Sequence, residues 1–135
     1  MRKKGKLVRD HGKNTCLTDC VGKMFGIDPR RVPFFIERRE GWLDRLSRFF
    51  ARRGYTLEVA RFKPSLLANR RRIYLVTGLS PRSRAKKWSH PRAIHHAVLY
   101  RGRERYYDPS PSAKFLRKPV WIYRAVKRAK IKETK

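Results

Sequence analysis

Cys16, His96 and Asp108 are the residue types that together perform nucleophilic hydrolysis, and the segments around them give each a definable position. Cys16 opens an apolar stretch in which Leu17, Cys20, Val21, Met24 and Phe25 recur at helical spacing before Gly26 stops it. A cysteine in the first turn of a helix meets unpaired N–H groups and the positive end of the helix dipole, which predicts a lowered thiol pKa. The same amides can hold a developing oxyanion. His96 falls in a late strand, where an imidazole can take the thiol proton and return it to a leaving group. Asp108 follows the next strand and can fix the imidazole tautomer from behind.

Register decides whether His96 and Asp108 can meet. Ile94–Tyr100 and Arg103–Tyr107 read as strands of a hairpin around Gly102. A three-residue loop, Arg101–Arg103, pairs Tyr100 with Glu104 and sets His96 opposite Asp108 on one face. A two-residue loop, Gly102-Arg103, throws them to opposite faces. Catalysis by this trio therefore demands an odd-length loop or a β-bulge.

The elements that must position the trio are legible in outline. The first helix is followed by a turn at Asp28-Pro29 and an extended link at Val32-Pro33. From Gly41 to Arg53 runs the clearest amphipathic segment, with Trp42, Leu43, Leu46, Phe49 and Phe50 on a core face and Arg45, Arg48, Arg52 and Arg53 opposite. Tyr55–Ala60 alternates as a strand, Pro64–Asn69 suits a short helical turn, and Ile73–Thr77 is apolar enough for a buried strand. A polar, basic insertion between Gly78 and Pro91 predicts a mobile loop, and Val120–Val126 predicts a last strand. Helices first and an antiparallel sheet after give an α+β domain over residues 10–126, with a basic arm at 1–9 and a basic tail at 127–135.

Composition narrows the partner. In 135 residues, 40% hydrophobic and 12% aromatic, there is material for one core. Against 10 acids stand 37 Lys and Arg, a net charge of +27, and residues 10–126 alone retain about +18. Such a surface attracts polyanions, and the excess of Arg over Lys suits phosphate. The candidate nucleic-acid-binding residues are Arg45, Arg48, Arg52 and Arg53; Arg70, Arg71 and Arg72; Arg82, Arg84, Lys86, Lys87 and Trp88; and Lys127 and Arg128. Trp88 and the Tyr106-Tyr107 pair could stack on bases if exposed. RNA, DNA or a ribonucleoprotein such as the ribosome is the expected partner, with a peptide or protein as the substrate of any hydrolysis. No helix-turn-helix, zinc-finger or RNA-recognition signature sharpens this.

Several residues have plainer readings. Cys20, one turn beyond Cys16, suits packing, and free cysteine is often simply buried. His95 points to the other sheet face from His96, while His11 and His90 lie in polar segments. The two cysteines match neither a disulfide framework nor zinc-ligand spacing, so no metal or other cofactor is expected. No apolar run is long enough to span a membrane, and no signal-peptide core follows Met1–Lys6, which predicts a cytoplasmic protein.

Taken together, Asn14-Thr15-Cys16-Leu17-Thr18-Asp19-Cys20-Val21, Met24-Phe25-Gly26-Ile27 and Val32-Pro33 resemble the nucleophile helix of papain-like cysteine peptidases related to the bacteriocin-processing peptidases. His95-His96-Ala97-Val98-Leu99-Tyr100, Tyr107-Asp108-Pro109-Ser110-Pro111-Ser112 and Thr77-Gly78-Leu79-Ser80-Pro81 are similar to segments of small bacterial and phage members. The resemblance covers roughly residues 12–112. It implies a half-papain fold with Cys16 as nucleophile, His96 as base and Asp108 as orienter, in a phage-infected host or virion. Relatives carry a Gln some six residues before the nucleophile to complete the oxyanion hole. Here that place is Asp10, and Asn14 is the candidate donor. Two functions stay open: a thiol hydrolase on a polyanion-binding surface, and a scaffold of the same fold that binds nucleic acid with little or no catalysis.

Overall fold

The structure, a computed structural model, describes residues 15–33, 35 and 40–128. The expected arm at 1–9 and residues 129–135 of the expected tail lie outside them. Helix α1 spans Cys16–Phe25 and ends on Gly26, whose left-handed backbone (φ 67) lets it close the helix without a Cβ penalty. A short 3-10 turn at Pro29–Arg31 follows, with Asp28 accepting from the Arg30 N–H. Helix α2 spans Trp42–Arg52. Five strands complete the chain: β1 Tyr55–Arg61, β2 Ile73–Leu79, β3 His95–Arg101, β4 Glu104–Tyr107 and β5 Lys118–Lys127. They form one antiparallel sheet in the order β1-β5-β2-β3-β4. This is the expected α+β arrangement, helices packed on an antiparallel sheet.

The centre of the sheet is buried on both faces, and β2, its central strand, therefore reads as an apolar run rather than an alternation. One face carries Leu75, Ala97, Leu99 and Tyr123 against Leu17, Cys20 and Val21 of α1 and Leu46, Phe49 and Phe50 of α2. Phe25 locks the two helices edge-on, its ring 5.0 Å from Phe50 and 5.8 Å from Phe49. The other face carries Tyr74, Val76, Val98 and Ile122, covered by Leu67 from the 3-10 turn at Pro64–Leu67 and by Phe115.

Three expectations need correction. Leu43 does not join the α2 core stripe; it is exposed, and Trp42 is only half-buried. Lys127 is not tail, since it pairs with Tyr55 at the end of β5, and the Arg128 N–H donates to the Gly54 carbonyl at 2.9 Å. The Gly78–Pro91 insertion is anchored at its base. The Ser80 N–H donates to the Ile94 carbonyl (2.8 Å), the Ile94 N–H to Ser83 Oγ (3.2 Å), and Arg117 reaches the Ser83 and Ala85 carbonyls.

At the far end of β2 the sheet is locally irregular. The β2–β5 register shifts between Thr77 and Gly78, where Pro119, in an interior strand, faces Gly78. A proline is tolerated there because a bulge leaves its missing N–H without a ladder partner to serve. Gly78 is required for the same approach: a Cβ on it would stand 2.1 Å from the Lys118 carbonyl oxygen. Gly78→Ala should therefore lower stability by about 1–3 kcal/mol through forced backbone displacement. Gly26→Ala, strained in φ but with open space around it, should cost about 1 kcal/mol. Urea unfolding midpoints of the two variants check this order.

Candidate active site

His96 is the second residue of β3 and faces Gly78 of β2 across the ladder. The turn between β3 and β4 is the two-residue one, Gly102-Arg103, with Arg101 paired to Glu104. On its own, that turn would put His96 and Asp108 on opposite faces. The register then shifts: Tyr100 pairs with Arg105, but Leu99 pairs with Tyr107, leaving Tyr106 as an extra residue. This bulge supplies the odd residue that the two-residue turn lacks, and it carries Asp108 back to the face of His96.

The two side chains meet there. His96 Nε2 lies 2.7 Å from Asp108 Oδ1, with the imidazole 11% and the carboxyl 1% exposed. The carboxylate also accepts the Ser110 N–H at Oδ1 (2.8 Å) and the Phe115 N–H at Oδ2 (2.7 Å). Aiming the Phe115 amide inward requires a left-handed backbone at a bulky residue (φ 61), and Ala113 nearby is left-handed as well (φ 52). Amide N–H groups can only donate, so Asp108 acts as acceptor throughout and the shared His96 proton sits on Nε2. That leaves Nδ1 as the basic nitrogen, with no hydrogen-bond partner among the described residues.

Cys16 is the first residue of α1 and is half-buried, while Cys20 is fully buried. Burial pushes the Cys16 thiol above its ordinary value, and the Asp19 charge pushes the same way. The Ala97, Leu17 and Cys16 amides pull it down without cancelling the burial. The expected effect of the helix terminus is thus present but outweighed, which corrects the expectation of a lowered thiol. The Ala97 amide belongs to the peptide unit that begins at His96, so sulfur and imidazole are brought to the same end of β3. Asn14 and Asp10, the oxyanion-hole positions, lie outside the described residues, as does His11.

The cationic residues divide by what they touch. Arg45 is not a free cation of α2: its guanidinium donates to the Glu40 and Phe35 carbonyls at 2.9 and 2.7 Å. Arg48 pairs with Asp44 at 3.0 Å, and Arg53 lies over the Phe49 ring at 3.9 Å, leaving Arg52 exposed. Arg82, Arg84, Lys86 and Lys87 are exposed on the anchored loop that leads into His95. Trp88 is half-buried and stacks on His95 at 3.7 Å, so one face of its indole is taken. Arg70, Arg71, Lys127 and Arg128 are exposed and Arg72 is half-buried. Among the described residues no group of three His, Cys, Asp or Glu is arranged to hold a metal, and no helix is long and apolar enough to cross a membrane.

Sequence reasoning missed the backbone donors at Ala97, Ser110 and Phe115, because amides carry no residue signature. It also missed Arg45 as a brace for the chain entering α2. No family model, curated protein or solved structure matches the chain.

The thiols have a measurable consequence. Burial holds Cys20 protonated well above the ordinary thiol value, whereas in the unfolded chain it titrates near pH 8.5. Above that pH the unfolded state binds fewer protons than the folded one, so stability falls as pH rises, by up to about 1.4 kcal/mol per pH unit for this group. Cys20→Ala should flatten the decline in unfolding midpoint between pH 8 and pH 10. An unchanged slope would place the thiol in water.

Proposed function

We propose that this protein is a papain-like thiol hydrolase of the peptidase or isopeptidase and amidase type, with a strongly basic surface that holds it on a polyanion. The supporting observation is the oriented imidazole. A carboxylate 1% exposed and fixed by two amides holds His96 Nε2 at 2.7 Å, at the strand end where the next amide faces a thiol on a helix terminus.

With its thiol raised, Cys16 needs a base at the moment of attack rather than a standing thiolate. His96 Nδ1 takes the proton as sulfur bonds to the substrate carbonyl carbon, and the carbonyl π pair moves to oxygen. The Cys16 and Leu17 amides, which already act on the sulfur, are candidate donors for that oxyanion. Collapse breaks the C–N bond, the amine leaves with the proton from His96, and water then hydrolyses the thioester by the same relay. Alternation along β3 sends His96 to the face of Val98, while Cys16 lies on the face of Ala97. Proton transfer between them therefore requires the ring to reach the sulfur around the His95 end of β3.

The raised thiol and this alternation favour a second reading, in which the half-papain scaffold binds nucleic acid without catalysis. Mass spectrometry of a proteome-derived peptide mixture separates the two. The hydrolase should generate new peptide termini, reduced at least about 100-fold by Cys16→Ser or His96→Gln. Asp108→Asn should fall between, since the imidazole tautomer is no longer fixed. Wild-type protein that yields no more termini than Cys16→Ser leaves only the scaffold.

A further inference from the structure

The bulge that brings Asp108 to His96 has a second product on the outside of the sheet. Tyr106, the extra residue of edge strand β4, is 36% exposed. Regular alternation would send its ring and that of Tyr107 to opposite faces. Instead the Lys23 ammonium lies 5.7 Å from both ring centroids, and the Arg101 guanidinium lies 5.1 Å from the Tyr106 ring. An exposed aromatic ring thus has a cation from α1 and another from β3 over it.

Arg101 joins this ring to a denser cluster. The β3–β4 turn packs directly on the turn before β2: the Gly102 N–H donates to the Arg72 carbonyl at 2.9 Å, and a Cβ on Gly102 would stand 2.8 Å from Arg70 Cα. Arg70, Arg71 and Arg72 are thereby set against Arg101 and Arg103 at one corner of the sheet. Among the described residues none of these five arginines is in an ion pair or donates its guanidinium to a backbone carbonyl. The arginines of α2, by contrast, are largely engaged with carbonyls, a carboxylate and a ring. Holding five like charges together unpaired costs repulsion that an anionic partner would relieve. Positive charge on an edge strand also discourages edge-to-edge pairing, but that role asks nothing of the 70–72 turn, which lies off the edge.

We infer that the β4 edge and this arginine corner form a binding site for single-stranded nucleic acid. A base stacks on Tyr106 by displacing one of the two cations over its ring, and the flanking phosphates are held by Arg101, Arg103 and the 70–72 turn. An exposed ring on a sheet edge stacks on an unpaired base, since bases inside a duplex are already stacked on their neighbours. This site rests on the polyanion-binding half of the proposal above and is independent of Cys16. It lies at the end of β3 away from His96, so a strand bound there leaves the thiol open.

Fluorescence anisotropy of the full chain with labelled 16-nucleotide oligo-U and oligo-dT, and with a duplex of equal length, tests it. Single strands should bind more tightly than duplex. Tyr106→Ala should weaken them about tenfold while Tyr106→Phe keeps them. Arg71→Gln with Arg103→Gln should reduce the log–log salt slope by about 1.4, near 0.7 for each phosphate left without its arginine. Arg82→Gln with Arg84→Gln, on the other side of the sheet end, should leave the Tyr106 effect intact. No binding of any strand at low salt overturns both this site and the polyanion surface. Binding that ignores Tyr106 and the Arg71–Arg103 pair, prefers duplex, or yields equally to poly-glutamate overturns this site alone.

Discussion

The contact between His96 Nε2 and Asp108 Oδ1 exists because β4 contains one residue more than its ladder can pair. A two-residue turn fixes the start of the register at Arg101 and Glu104, and without the bulge at Tyr106 the carboxylate would project away from the imidazole. The segment directly after β4 is shaped to that carboxylate. The chain from Asp108 to Phe115 wraps it with two amides, accepts left-handed backbone at Ala113 and Phe115, and lays the Phe115 ring over the second core. The same segment then delivers Pro119 to the irregular point opposite Gly78, beside His96. Backbone strain and a broken ladder are thus concentrated around one side-chain pair, as expected where geometry is held for a purpose other than stability.

Charge is organised just as unevenly. A chain with +27 must place its cations somewhere, and much of the α2 set is absorbed into structure: Arg45 braces the helix entry, Arg48 pairs with Asp44, and Arg53 lies on Phe49. The loop before His95 and the paired turns at Gly102 keep theirs free. These two regions sit at opposite ends of β3, one beside His95 and one at Arg101. On the proposed function, a polyanion held at the Gly102 corner would not compete with a substrate at His96 for the same surface.

Much of this was legible in the sequence where local chemistry dictates structure. Helical spacing from Leu17 to Phe25 with Gly26 behind it, the α2 stripe, and the continuous apolar run of β2 each signal an element whose burial the fold then uses. The hairpin around Gly102 allowed a conditional statement, that His96 and Asp108 share a face only with an odd residue, but no residue type announces a bulge at Tyr106. Long-range effects were not legible. The direction of the Cys16 thiol shift depends on how much of α1 the sheet covers, and dipole reasoning from a helix start omits that desolvation. Arg45 reads as surface charge on a helical wheel because the carbonyls it caps come from the chain before the helix.

The proposed hydrolysis depends on proton transfer from Cys16 to His96, and the pH dependence of Cys16 alkylation by iodoacetamide, in wild-type protein and in His96→Gln, tests that step directly. If His96 takes the proton during attack, wild-type Cys16 should begin to react at least about one pH unit lower than the variant. Superimposable profiles, both displaced above the ordinary thiol range by burial, would show that the imidazole and the sulfur do not communicate.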